Sequence, residues 1–386
     1  MSFPSPLAQP DHAPATVPPT AAASRSLPVP VPSRGRWALW SVGVVLIVLA
    51  ACLVAYFLTF LGAAASVIAA VLALLPLAAV LTVIRIIDRW EPEPRGLIVL
   101  ALAWGAVASV VIALGVDLLV TLVVEPGVPD ALSAVVQAPI VEEVAKGAGV
   151  LLIFAAARRA FDGPVDGVVY GALVGAGFAF TENILYFADS LITGGAADAA
   201  TTFFLRGILS PFAHVMFTAV TGFALGLAAR AGRRGAGALG RWSVGVVGAI
   251  VLHALWNGSA TFADFLGLYV SLQIPLFAVF VFGVVLLRRE EARLTRERLS
   301  DYADAGWFSR AEVEMLATRP GRTKAIAWAR TLPGDRAAAM RRFIAEATAL
   351  AAARQRVITG RDPRAAADEL VYLERATAAR RALLSR

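Results

Sequence analysis

Four short stretches of this sequence hold residue types that could move a proton or stabilise an oxyanion. The first, Pro139-Ile140-Val141-Glu142-Glu143-Val144-Ala145-Lys146, sets two adjacent carboxylates and an ammonium within about two helical turns. The second is Glu182-Asn183-Ile184-Leu185-Tyr186, the third is His214 with Thr218 and Thr221, and the fourth is His253-Ala254-Leu255-Trp256-Asn257. Two of the chain's 3 histidines are in this set. Water, a carboxylate base, imidazoles and an amide donor suffice to hydrolyse an acyl bond. A glutamate would take the proton from water while a histidine or Asn257 steadies the oxyanion.

Each feature also has a plainer reading. At about 100° per residue, Lys146 projects about 40° from Glu142 and about 60° from Glu143 on the other side. One lysine can then neutralise either carboxylate, but hardly both. The group is either a structural ion pair with a spare acid, or a pair that leaves one glutamate as a tuned base. Gly171, Gly175, Glu182 and Tyr186 fall on one helical stripe, where the glycines permit close helix approach and a Glu–Tyr hydrogen bond would satisfy the acid. Single histidines are ordinarily satisfied hydrogen-bonding residues; their joint occurrence with the glutamates favours a site.

Absent motifs narrow the chemistry. There is no Gly-x-Ser-x-Gly elbow, no Asp-Asp dyad and no His-Glu-x-x-His zinc helix. The single cysteine, Cys52, has no polar neighbours and excludes a disulfide scaffold. Glu143, His214 and His253 would be the ligands of a zinc alternative, but Lys146 beside them opposes a cation, so no cofactor is the preferred expectation. The non-enzymatic rival is a proton-coupled transporter. Against it, no internal repeat of spans is evident.

The elements that must position these groups are membrane helices. The chain has 386 residues, 58% of them hydrophobic, 16% charged, and a net charge of +7. The basic excess lies at the ends: residues 288–386 carry 20 arginines and Lys324 against 13 acids, whereas 37–287 hold 11 bases and 14 acids. The charge does not mark a nucleic-acid surface. Residues 37–287 predict an all-α polytopic bundle of eight spans, near 37–60, 66–87, 97–121, 132–157, 166–188, 203–229, 241–260 and 267–287. Basic residues in alternate short loops (Arg85, Arg89, Arg95; Arg158, Arg159; Arg230, Arg233, Arg234, Arg241) place both termini in the cytoplasm of a multi-pass cell-membrane protein. Residues 1–36 form a Pro-rich N-tail expected to be disordered. Residues 288–386 form a small helical cytoplasmic domain, with a capping box at Ser309 and Glu312.

Counted from the outer end of each span, Glu142, Glu182, His214 and His253 all lie at roughly 9–17 Å depth. A shared wet pocket in the outer half accounts for all four. Asp117, Gln137 and Gln273 are further polar groups in the apolar segments. Pro139 and Pro211, each three residues before a candidate, predict kinks or freed carbonyls.

The same motifs resemble those of the PrsW-type intramembrane proteases. Glu142-Glu143-Val144-Ala145-Lys146 is similar to that family's Glu-Glu-x-x-Lys motif. Asp166-Gly167-Val168-Val169-Tyr170-Gly171, with the run from Gly177 through Glu182-Asn183 to Tyr186, resembles its next one. His214 with Phe217 and Gly222, and His253 through Asn257, resemble the last two. The resemblance implies hydrolysis of a peptide bond in a membrane-protein substrate, such as first-site cleavage of an anti-sigma factor in stress signalling. It implies Glu142 and Glu143 as the catalytic pair, with His214, His253 and Asn257 completing the site. Lys146, Glu182, Asn183 and Tyr186 would support them. The family is usually described as glutamic-type and formerly as metalloproteases.

Overall fold

The computed structural model describes residues 33–124, 128–262, 265–360 and 362–384, and among them every regular element is helical. Most of the Pro-rich N-tail lies outside the described residues. The helices are α1 (Ser33–Phe60), α2 (Ala63–Ile87), α3 (Arg95–Val123), α4 (130–156), α5 (Pro164–Phe203), α6 (Ala213–Arg230), α7 (Ala236–Phe262) and α8 (Phe265–Asp304). Four shorter or more polar ones follow: α9 (Arg310–Leu316), α10 (Arg319–Arg330), α11 (Arg336–Thr359) and α12 (Ala365–Leu384).

Among the described residues, 6 helical segments are long and apolar enough to cross a membrane, one of them the stretch Pro164–Arg230 of 67 residues. That run holds two of the expected spans, because Gly195 lies within it at φ 71 and ψ −159. Only glycine adopts such a conformation without strain. There the chain doubles back, and Ser190 and Thr202 join hydroxyls at 2.7 Å across the reversal. A second interruption falls at Ser210–Phe212, where Pro211 supplies no amide hydrogen and the helix restarts at Ala213. Helix α4 stands apart in composition because it carries Glu142, Glu143 and Lys146. Helices occupy all eight expected segments, that of 203–229 broken at Ser210–Phe212.

The apolar content is displayed as well as buried. Ile47, Leu122, Val123 and Val244 are each more than 70% exposed, on helices whose other faces pack. Helices apolar all round suit a lipid surrounding. The core of this unit lies around α5, which is buried along most of its first half, from Pro164 to Phe178. Its stripe of glycines packs on α6: a Cβ at Gly175 would stand 2.4 Å from the His214 carbonyl oxygen, and one at Gly171 would stand 2.5 Å from that of Thr218. Backbones therefore touch where larger residues would hold them apart, and His214 is fixed against α5.

One end of this unit is tied by polar contacts. Asp166 accepts from the amides of Gly163 (2.7 Å) and Asp162 (3.0 Å), capping the start of α5. Tyr170 donates to Glu93, whose own amide bonds the Asp88 carboxylate at 3.2 Å. The Arg288 guanidinium bonds the Ile87 carbonyl at the end of α2. The first half of the second motif is thus structural.

The C-terminal unit has its own core, built from Leu299, Tyr302, Leu316, Ala329, Phe343, Ala347, Leu350, Leu373 and neighbours. Its expected capping box is present: the Glu312 amide donates to Ser309 Oγ at 3.2 Å, and the Ser309 amide donates to Glu312 Oε2 at 2.8 Å.

Candidate active site

Helix α4 carries the core of the site, and its neighbours hold it in register through indole donors. Trp104 Nε1 donates to the Ala145 carbonyl at 3.0 Å, and Trp242 Nε1 donates to that of Gly147 at 2.8 Å. The face between these anchors turns Glu142, Glu143 and Lys146 inward, all three buried. Burying such charges is tolerable only if they are paired and hydrogen-bonded.

Lys146 does more than the helical wheel suggests. Its ammonium is 2.6 Å from Glu143 Oε1, 3.3 Å from Glu142 Oε2 and 3.2 Å from His214 Nδ1. It also lies 4.0 Å from the centre of the Phe178 ring. Three acceptors match its three protons. One lysine thus serves both carboxylates, because residues three and four positions back lie on either side of its stem.

The two glutamates are not equivalent. Glu143 is fully enclosed, and besides Lys146 it accepts from Thr218 Oγ1 (3.0 Å) and His253 Nδ1 (3.0 Å). Among the described residues, Glu142 is reached by Lys146 alone at 3.3 Å, with His253 Nδ1 more distant at 3.9 Å. It lines a cavity of about 230 Å³ together with Phe178, Glu182 and Tyr186. One acid is an anchor, and its neighbour faces space.

The imidazoles meet at right angles, with ring centres 5.0 Å apart and planes at 89°. His214 Nε2 is 2.8 Å from Glu182 Oε2. With Lys146 donating to Nδ1, the network assigns the proton of His214 to Nε2. His253 donates through Nδ1 to Glu143 and stacks on Phe217 at 5.0 Å and 22°. Its Nε2 has no partner among the described residues.

One member of this constellation was not singled out by sequence reasoning. Arg206 forms an ion pair with Glu182, donates from Nε to Asn183 Oδ1 at 3.0 Å, and lies over the Tyr186 ring at 3.9 Å. This explains why Glu182, Asn183 and Tyr186 occur together, with an arginine in place of a direct Glu–Tyr bond. Its signal was that it is the one basic residue between Arg159 and Arg230. Asn257 is placed elsewhere: its amide donates to the Ala134 carbonyl at 2.8 Å, pinning α7 to the start of α4.

Among the described residues, Glu142, His214 and His253 form the group able to offer converging metal donors, within 4.8 Å of one another. The expected zinc alternative used Glu143 instead. Two histidines and a glutamate are a catalytic zinc donor set, but an ammonium contacts two of the three, and both nitrogens of His214 are engaged. As arranged, the pocket fits the cation it has, Lys146, and not a divalent one.

Residues 93–284 match the family model for the PrsW family intramembrane metalloprotease. The chain is similar to Protease PrsW of Bacillus subtilis, 32% identical over 145 residues, which is 37% of this chain and 60% of that protein. It is also similar to Protease PrsW of Geobacillus kaustophilus, 37% identical over 98 residues, covering 25% of this chain and 40% of the relative. A third, from Oceanobacillus iheyensis, is 41% identical over 68 residues, 18% of this chain and 28% of its own length. The matched stretches therefore span about a quarter to three fifths of these relatives. No solved structure matches. The family match runs from α3 into the first part of α8, including every residue of the Glu/His/Lys network, and the chain belongs to the PrsW family.

Proposed function

We propose that the membrane unit is an endopeptidase that hydrolyses a peptide bond of a membrane-protein substrate with water activated by Glu142. The observation carrying this reading is the asymmetry of the glutamates: Glu143 is saturated by Lys146, Thr218 and His253, while Glu142 faces the cavity. Water beside Glu142 gives it a proton, and the hydroxide oxygen bonds to the scissile carbonyl carbon. The tetrahedral oxyanion forms in a field set by Lys146, with His253 Nε2 available to the attacking water. As the carbon–nitrogen bond breaks, Glu142 returns its proton to the leaving amine. Arg206 and Glu182 hold His214, and Asn257 holds the helix that bears His253. Both termini lie in the cytoplasm, and a single-pass protein cut near its outer end is the substrate class. A membrane-bound anti-sigma factor is the example suggested by the sequence resemblance.

The test is cleavage of a fluorescent single-pass reporter by the purified full chain in detergent, with and without a strong chelator. Activity should resist the chelator and fall by about 10²–10⁴-fold in Glu142→Gln and His214→Ala. Chelator loss reversed by zinc would overturn the glutamate mechanism and assign Glu142, His214 and His253 to a metal. Undiminished cleavage in both variants would dismiss the cluster. Uptake driven by a pH gradient in vesicles, without cleavage, would make the protein a transporter.

A further inference from the structure

The cavity beside Glu142 extends away from the histidines to a carboxylate that the mechanism does not use. Its wall runs from Glu142 and Glu182 through Phe178, Val141 and Leu114 to Asp117 and Gln137. Three acids therefore line one space. Two are neutralised on site, Glu142 by Lys146 and Glu182 by Arg206. Asp117 is not. It is exposed on α3, and among the described residues its carboxylate receives the Gln137 amide alone, at 3.3 Å. A carboxylate within an apolar helix costs about 2.5–3.5 kcal/mol on insertion scales. Here it lines a cavity wall with no counter-ion among the described residues.

We infer that Asp117 is a specificity-determining residue, pairing with a lysine or arginine side chain of the substrate a short distance from the bond presented to Glu142. The inference rests on the proteolytic reading of the same site and names the substrate class more closely: a membrane segment whose cut end carries a basic residue beside an apolar one. The apolar part of the wall, with Leu114, Val141 and Phe178, takes the neighbouring side chain. Gln137 lies at the end of the wide helical turn Ser133–Gln137, just before α4 regains regular winding. Such turns splay side chains away from the regular helical face, and this one aims the amide at Asp117 and steadies it.

Binding separates this inference from the proteolysis it builds on. Leucine–alanine single-pass peptides, each with one lysine or one glutamine stepped along the outer third, are titrated in detergent micelles against full-length Glu142→Gln protein. The best lysine peptide should bind about tenfold more tightly than its glutamine twin. Adding Asp117→Asn should erase that ratio while leaving the glutamine peptide's affinity unchanged. Asp117→Glu, which keeps the charge, should retain it and guards against a folding defect in the neutral variant. A lysine preference that survives Asp117→Asn, or equal binding of both peptides, overturns the inference. Failure of the unsubstituted protein to cleave either peptide, with lysine-selective binding intact, would instead count against the proteolytic reading alone.

Discussion

At the scale of single residues, the site is a charge network closed by one lysine. Lys146 contacts Glu142, Glu143 and His214 at 3.3, 2.6 and 3.2 Å, so removing its charge leaves two buried carboxylates uncompensated. Lys146→Met should lower stability by about 3–5 kcal/mol, measured by denaturant melting in detergent. Glu142→Gln, which keeps the shape and faces the cavity, should cost far less. Equal destabilisation by the two would contradict the division into anchor and working acid. The identities of these residues were legible in sequence because intramembrane charges are expensive and few. Their partnerships were less so. A helical wheel gives angles about an axis and not the reach of a lysine stem, and it could not pair Arg206 with Glu182 across 24 residues of chain.

Among the elements, the contact between α5 and α6 decides where His214 stands. A methyl group at Gly175 would meet the His214 carbonyl oxygen at 2.4 Å, and both partners are backbone-bound. Gly175→Ala should push α6 outward, destabilise the protein by about 1–3 kcal/mol, and sharply reduce cleavage. Gly115, with nothing within 4 Å of a built Cβ, supplies the control: its alanine variant should be neutral in both assays. The glycine stripe and the kink at Pro211 could be anticipated from spacing. That the chain reverses between residues 188 and 203 followed from the successive spans, but its placement at Gly195 did not, since Gly194 and Gly195 sit in a run of small residues that also suits a helix. Asp166 and Tyr170 belong to the second resembling motif, yet they cap a helix and secure Glu93. Sequence proximity to a motif does not separate chemistry from scaffolding.

Taken whole, the molecule divides its charges by purpose. The basic excess decorates the ends, and the buried acids and lysine of the apolar domain fall into two groups, the Glu/His/Lys network and the acidic tie around Glu93 and Asp166, with Asp88 beside it. At the tie, burial pushes the Asp88 carboxyl up to about 6, against the opposing pull of the Glu93 amide and Arg288. Burial likewise raises Glu93 well above the usual range. An acid whose folded pKa is raised favours the folded state when protonated. Its contribution is complete below the unfolded value of 3.8 and is lost as pH rises through about 6. Melting temperature should therefore fall between about pH 4 and 6 on this account, and Asp88→Asn should flatten that slope. A slope unchanged in the variant would place the dependence elsewhere. The membrane class and its helical segments could be read from composition and periodicity; these long-range polar ties could not.

The doubling back at Gly195 has a kinetic consequence. The limb that carries Arg206 is bounded by that glycine and by the Ser210–Phe212 break, and it includes the wide turn Phe204–Leu209. Its amides should exchange with heavy water through local opening, well before those of α5 between Val165 and Phe178. Each such excursion would carry Arg206 away from Glu182 and briefly leave His214 less firmly held. The lifetime of the assembled site would then be set by this strap rather than by the buried helices around it.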